Sequence, residues 1–353
     1  ERRNKMPRKK KIQSNQEVTQ NKNTSIQPPQ NLIPSSGENI INLSDFEKKN
    51  VYIHFNLLTN FGLAANNRGE TKGNTTTLQT VVVEDGSLRT IVSSEAIRFA
   101  LRKNLSRTFP KLCNRYIDEN DQIQWRDPKF ETPNKFIDND ILGYMFLDRE
   151  TDEKIRKTRK SPLEINYAIS LIPYDDLTIH NFASANASPA ANKNPEKINP
   201  TPYSTKAHVT SYQFGGCLSV CDLKVPVSDR KKYIKTILTE LVRLNHVGGN
   251  HTRHLYDFSA VSAVFRVTSD PAPRILYCFY TDSFHSYNPK ISPKILQRIK
   301  LKNIPTNGLY VCGEIIENLD ENEKEILKNA TIQGSIEETI DQIVENTFKE
   351  LEN

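Results

Sequence analysis

Strict alternation of apolar and polar residues sets in at Val51. In Val51-Tyr52-Ile53-His54-Phe55-Asn56-Leu57-Leu58 the positions of Val51, Ile53, Phe55 and Leu57 predict a strand with one buried face. Segments 80–84 and 88–92 are β-branched and flank Asp85-Gly86, a pair that favours a two-residue hairpin turn. After Ser93-Ser94 the period lengthens. Ile97, Leu101 and Leu105 recur at every fourth position, which predicts a helix. Its serines can cap the first turn, where Glu95 suits the positive end of the dipole. The stretch 212–223 reads as a long strand with a glycine bulge at Gly215-Gly216, and 229–246 as a helix with Tyr233, Ile234, Ile237, Leu238, Leu241, Val242 and Leu244 on one face. Gly248-Gly249 is expected to end that helix, with strands following at 260–267 and 274–280. Residues 291–353 predict short helices, the last amphipathic through Ile336, Ile340, Ile343, Val344, Phe348 and Leu351.

The segments between these elements are of a different kind. Residues 66–74 are polar and glycine-rich, a surface loop by composition, and carry Arg68 and Lys72 towards the entrance of the first helix. Residues 107–172 mix charges, aromatics and prolines around a basic cluster at Lys154, Arg156, Lys157, Arg159 and Lys160, then become strand-like at 165–172; they read as an inserted subdomain. Residues 182–207 are rich in Ala, Asn, Ser and Pro, a long exposed loop bearing Lys193, Lys197 and Lys206. Without insertions the order is strand, helix, strands, helix, strand. That is an α+β, ferredoxin-like pattern, the architecture of RNA-recognition domains.

Charge sharpens the picture. The 353 residues carry a net +6, all of which can be assigned to residues 1–11, with seven cations against Glu1. Residues 313–353 carry twelve carboxylates against three lysines, and residues 12–312 are net +9. A basic body thus lies between a basic head and an acidic end. Residues 1–48 lack the apolar area to offset the entropy of ordering and read as a disordered basic tail, in which Met6 is a candidate start. Five cysteines without paired zinc spacing read as reduced cytoplasmic thiols; Cys217 and Cys221 would share one side of a strand, but no second pair supports a metal site. No apolar run is long enough to span a membrane.

The candidate chemistry is phosphate recognition. Ser93 and Ser94 at a helix entrance, with Arg98 and Arg102 four apart on a face distinct from the apolar stripe, suit a polyanionic backbone and need no base identity. If that face is solvated, reversing both arginines removes RNA binding and leaves stability almost unchanged. The plainer alternative is a capped amphipathic helix with a solvated basic face.

Two segments resemble a known family. The passage from Leu88 through Ser93-Ser94 to Ala-Ile-Arg-Phe-Ala-Leu-Arg resembles the serine-serine and basic-helix signature of CRISPR backbone subunits. Residues 243–274, from Arg-Leu-Asn-His-Val-Gly-Gly-Asn-His-Thr-Arg-His to Asp-Pro-Ala-Pro-Arg, resemble the DevR autoregulator branch of that family. The resemblance covers about residues 51–280 and is most like the backbone subunit of a type I-B Cascade complex.

It implies an RNA-recognition-like palm in two parts (49–106 and 212–312), a helical fingers insertion (107–172), a long thumb hairpin (173–211) and an acidic C-terminal helical region (313–353). It further implies a non-catalytic subunit with no cofactor that binds guide RNA (crRNA), polymerises with copies of itself and with other Cascade subunits, and presents the guide for pairing with target DNA. The implied RNA-binding set is Asn67, Arg68, Lys72, Arg89, Ser93, Ser94, Arg98, Arg102, Lys103, Gly248, Gly249, Asn250, His251 and Arg253; the implied thumb set is Phe182, Lys193, Lys197, Tyr203 and Lys206. Glu95 departs from the neutral amide common in relatives, which sets aside a phosphate contact there.

Two alternatives belong to other classes. A metal-independent CRISPR RNA-processing endonuclease needs an acid and a base, for which His251, His254 and His285 are candidates, with Asp257 to orient them. A DNA-binding autoregulator needs a reading element, and neither helix-turn-helix nor zinc-finger spacing occurs.

Overall fold

The computed structural model describes residues 50–66, 68–120, 122–147, 156–183, 201–248, 255–282 and 287–352. Its centre is the strand Tyr52–Thr59, flanked on one side by Tyr212–Ser219 and on the other by Ala260–Thr268, both antiparallel to it. Outward from Tyr212–Ser219 the sheet continues through Ala168–Ser170, Leu88–Val92 and Thr80–Val82; from Ala260–Thr268 it continues through Leu309–Gly313 and Thr331–Gln333. Ile53, Phe55 and Leu57 pack beneath the helices Ser94–Thr108, Val227–Val242 and Ile336–Glu352, as the alternation predicts.

The other face of the central strand is not open. His54, Asn56 and Leu58 are buried too, because residues 270–279 lie across them. His54 donates through Nε2 to the Asp270 carbonyl at 2.9 Å, Asn56 Oδ1 accepts from the Tyr277 amide at 2.9 Å, and Gln213 Nε2 donates to the Phe279 carbonyl at 2.8 Å. These bonds satisfy Asn56 and Gln213, which a two-sided burial would otherwise strand, while His54 Nδ1 keeps no partner among the described residues. Leu58 joins a second core with Ile275, Cys278, Ile295 and Val311. The strand expected at 274–280 is thereby reduced to Phe279–Thr281; Pro271 and Pro273 lack ladder donors, and Asp270 gathers Arg266, Arg274 and the Ala272 amide into a turn. Arg274 above all holds the Asp270 carboxyl down at about 2.

Other differences have equally local causes. Gly215 and Gly216 form no bulge, for pairing with Tyr52–Thr59 is continuous from Ser219 to Gln213. The polar stretch expected as a loop at 66–74 is a hairpin, Arg68–Lys72 with Thr75–Leu78, in which three β-branched threonines supply strand propensity and Gly73 turns the chain at φ 60°. The Asp85-Gly86 turn is wider than two residues: Val82 pairs with Leu88, and the Val83 amide still bonds the Ser87 carbonyl at 3.1 Å. The helix expected to run to His246 ends at Val242, where the Arg243 amide closes on the Thr239 carbonyl. Among the described residues of 107–172 the implied helical insertion holds short hairpins and one six-residue α-helix, Ile137–Leu142, while Leu163–Ile165 and Ala168–Ser170 belong to the main sheet.

The acidic end is partly neutralised within the fold. Glu345, Asp341 and Glu337 of the last helix pair with Lys231, Lys235 and Arg243 on and just beyond Val227–Val242. Each such exposed pair is worth about 0.2–1 kcal/mol.

Candidate nucleic-acid interface

Ser93 is the cap that the sequence predicts. Its Oγ accepts from the Ala96 amide at 3.3 Å, while Ser94 Oγ donates to Glu95 at 3.3 Å. Ile97, Leu101 and Leu105 are fully buried.

Arg98 and Arg102 face protein instead of solvent. Arg98 donates to the Leu163 carbonyl at 3.0 Å, to Ser161 Oγ at 3.2 Å and to the Leu142 carbonyl. Arg102 lies 3.5 Å from Asp138, whose carboxylate is buried and also accepts the Asn114 and Arg115 amides at 2.7 and 3.1 Å. Desolvation lowers both guanidinium pKa values, with Asp138 opposing the effect at Arg102. The solvated basic face expected here is therefore corrected: Asp138, Leu142, Ser161 and Leu163 of the insertion close over it, and the arginines fasten those residues to the helix. Arg89 is likewise engaged, with Ser87 at 2.9 Å, Asp85 at 3.2 Å and the Leu171 carbonyl. Lys103 is half-buried on the same helix, with no ion pair among the described residues.

A second cluster involves the loop before the Arg68–Lys72 strand. Asn66 is buried and donates its amide to the Val247 carbonyl, tying that loop to the turn at Gly248, whose φ of 76° favours glycine. Arg68 is half-buried, and its Nε has no acceptor among the described residues. Lys72 is exposed. The Arg68–Lys72 and Thr75–Leu78 hairpin pairs in parallel with Thr201–Lys206, which pairs antiparallel with Thr178–Ala183, making one four-stranded sheet. The segment expected as an open loop from 182 to 207 thus begins and ends as paired strand. Phe182 and Tyr203 are exposed on it, whereas Lys206 is held by Asp176 at 2.8 Å and Thr178 at 2.6 Å.

Below this sheet lies a closed polar knot. His208 Nδ1 meets Thr90 Oγ1 at 2.8 Å and its Nε2 meets the Pro173 carbonyl at 3.2 Å; Thr90 also meets the Tyr212 hydroxyl at 3.0 Å. Burial pushes the His208 pKa down to about 4. Because the unfolded chain then binds the proton more readily, stability is fully present above pH 6.5 and is lost as pH falls towards 4, by about 3 kcal/mol in all. Denaturant titrations over that window should show the loss, and His208→Gln should flatten it. An unchanged slope would remove His208 as its source.

Asn67, Gly249, Asn250, His251, Arg253, Lys193 and Lys197 lie outside the described residues, as do His254 and His285. Asp257 accepts from Ser259 and Asn60. Cys217 sits in its strand, but Cys221 follows in the turn, and no metal-holding group of three or more His, Cys, Asp or Glu occurs among the described residues. Burial pushes the thiols of Cys113, Cys217, Cys278 and Cys312 up to about 12, so they remain protonated at neutral pH. No described helix is long and apolar enough to cross a membrane. Sequence reasoning missed Asn66 and Asp138; a lone amide beside a loop and a lone carboxylate carry no periodic signal.

The fold is that of chains in CRISPR RNA-guided surveillance complexes. One solved chain, from a "CRISPR RNA-guided surveillance complex, pre-nicking", matches with a TM-score of 0.58 at 9% identity, covering 84% of this chain and all of its own. Another, from a "CRISPR RNA-guided surveillance complex", matches with a TM-score of 0.50 at 13% identity, over 85% of this chain and all of its own. Residues 58–283 match the family model of the CRISPR-associated negative auto-regulator DevR/Csa2. The CRISPR-associated protein Cas7/Cst2/DevR of Myxococcus xanthus (strain DK1622) is 38% identical over 289 residues, covering 79% of this chain and 92% of that protein. The chain belongs to this Cas7/Cst2/DevR family.

Proposed function

We propose that this chain is a non-catalytic backbone subunit that grips the sugar-phosphate chain of a guide RNA, assembles with copies of itself and other surveillance-complex subunits in the cytoplasm, and leaves the bases free for target DNA. The observation that carries the reading is Arg68. Arg68 is half-buried at the start of the strand Arg68–Lys72, with no acceptor for its Nε among the described residues, next to the loop that Asn66 pins to the Val247 carbonyl beside Gly248. A preset cation beside a fixed loop suits phosphate and reads no base.

The sheet supports an RNA-recognition-like palm. Its core order is Ala260–Thr268, Tyr52–Thr59, Tyr212–Ser219, then Leu163–Ile165 and Ala168–Ser170, which is the fourth-first-third-second order of a ferredoxin-like domain. The sheet face on which ordinary RNA-recognition domains stack bases is covered here by residues 270–279. The guide is accordingly held away from that face, by Asn67, Arg68, Lys72, Ser93, Ser94, Lys103 and 248–253. Arg98 and Arg102 are positioning residues. Phe182 and Tyr203 belong to a thumb within 173–211 that reaches a neighbouring copy, and residues 107–162 form the fingers.

The test pairs Arg68→Glu with Lys72→Glu and measures affinity for guides of unrelated sequence. A charge-assisted phosphate contact contributes about 1.5–3 kcal/mol, so the double variant should bind each guide at least about tenfold more weakly, equally for all, with an unchanged melting temperature. Unchanged affinity, or a loss confined to one sequence, overturns the reading.

A further inference from the structure

Four large apolar side chains stand exposed together on the inserted subdomain and the helix beneath it. The strands Arg115–Ile117 and Ile123–Trp125 pair so that Arg115 faces Trp125 and Ile117 faces Ile123. Trp125 is 41% exposed, and Ile117, Ile123 and Phe99 are comparably open. Phe99 is the anomaly of the Ser94–Thr108 helix, a ring on the side away from the stripe of Ile97 and Leu101. The Arg115 guanidinium lies over both rings, 5.5 Å from the Phe99 centroid and 5.7 Å from that of Trp125. The row continues inward from Trp125 to Phe130 at 5.6 Å, then to Phe146 at 5.5 Å.

Apolar exposure of this extent marks a binding surface, and its charge identifies the occupant. Residues 99–126 hold six cations against three carboxylates; Arg102 is engaged by Asp138 and Arg126 by the Cys113 and Pro110 carbonyls, which leaves Lys103, Arg107, Lys111 and Arg115. One of these carboxylates, Asp118, is consumed by the Asn120 and Gln122 amides of its own turn and by the Gln124 side chain. A cation held between flat rings, with lysines and arginines around it, matches an unpaired base with its phosphates: every base has a face to stack, and the backbone supplies the charge.

We propose that Phe99, Arg115 and Trp125 form a platform that stacks unpaired bases of single-stranded nucleic acid, with Arg107 and Lys111 serving its phosphates. This goes beyond the guide grip, which needs no base. It assigns the fingers a second strand, distinct from the one held at Arg68.

The test uses the full chain. Trp125 is its one tryptophan, so tryptophan emission reports on this platform alone. Titration with oligothymidylate and with oligouridylate of equal length should quench it saturably; the arm that quenches at lower concentration identifies DNA or RNA as the strand. Phe99→Ala should raise the midpoint at least about fivefold, as loss of one stacking partner requires, without changing the melting temperature. Arg68→Glu with Lys72→Glu should leave the quench in place. Three results each overturn the proposal: oligonucleotide binding, seen by anisotropy, with constant emission; emission that responds to self-association of the protein and not to oligonucleotide; or a quench that vanishes with Arg68→Glu and Lys72→Glu, which would assign the platform to the guide path.

Discussion

Gly216→Ala should lower the melting temperature by roughly 3–6 °C. A Cβ at this position would lie 2.1 Å from the Glu164 carbonyl oxygen and 2.6 Å from Phe55 Cζ, and neither is the end of a flexible surface chain. Gly216 pairs with Phe55 on one side and Ile165 on the other, in the middle of the sheet. To admit a methyl group the two strands must part or the Phe55 ring must leave the main core, in which it is fully buried. Overpacking costs about 1–3 kcal/mol; two rigid contacts at once put this site at about 3, and each kcal/mol is worth about 1–2 °C in a protein of this size. Gly86→Ala is the control. Nothing lies within 4 Å of a Cβ there, and only the φ of 79° opposes it, so the loss should be near 1 kcal/mol. Equal melting points for the two variants would refute the packing argument at Gly216.

The same residue illustrates what was legible. Gly215-Gly216 in an otherwise apolar strand announces a special position, but the sequence does not distinguish a bulge from a close approach. The distinction lies in Glu164 and Phe55, 52 and 161 residues away along the chain. Elements with a sustained period were legible to within a few residues: the first strand, the helix capped by Ser93, the long helix ending at Val242 and the final acidic helix. Polar hairpins were not. Arg68–Lys72 has no apolar face, and its pairing depends on Thr75–Leu78 and on Thr201–Lys206 in a distant part of the chain.

Charge was legible in amount but not in placement. The acidic last helix and the basic helix Val227–Val242 stand about a hundred residues apart in sequence, yet Glu337, Asp341 and Glu345 face Arg243, Lys235 and Lys231. The arginines of the first helix show the opposite error. Spacing four apart identified a shared face for Arg98 and Arg102, and a shared polar face is ordinarily solvent-exposed. What closes over it is the irregular insertion, whose carbonyls at Leu142 and Leu163 and carboxylate at Asp138 carry no periodicity.

That burial decides the largest effect expected of any variant. Arg98→Glu with Arg102→Glu should leave little folded protein, because each change replaces a donor by an acceptor among acceptors. At position 98 the new carboxylate would meet the carbonyls of Leu142 and Leu163 and the Ser161 hydroxyl, itself already donating to Ile141 and Leu163. At position 102 it would approach Asp138, which is fully buried. Breaking the buried Arg102–Asp138 pair costs about 3–5 kcal/mol, and an unpaired carboxylate among carbonyls at position 98 adds to it, so the sum approaches the roughly 5–15 kcal/mol that holds a typical domain together. Guide binding should vanish with the fold. Arg98→Lys, which keeps one donor and the charge, should fall between the double variant and the native chain in melting temperature. Lys103→Glu, on the same helix but without an ion pair, should weaken guide binding and melt as the native chain does. A double reversal that melts normally and yet binds no guide would falsify the positioning role and return both arginines to direct contact with phosphate.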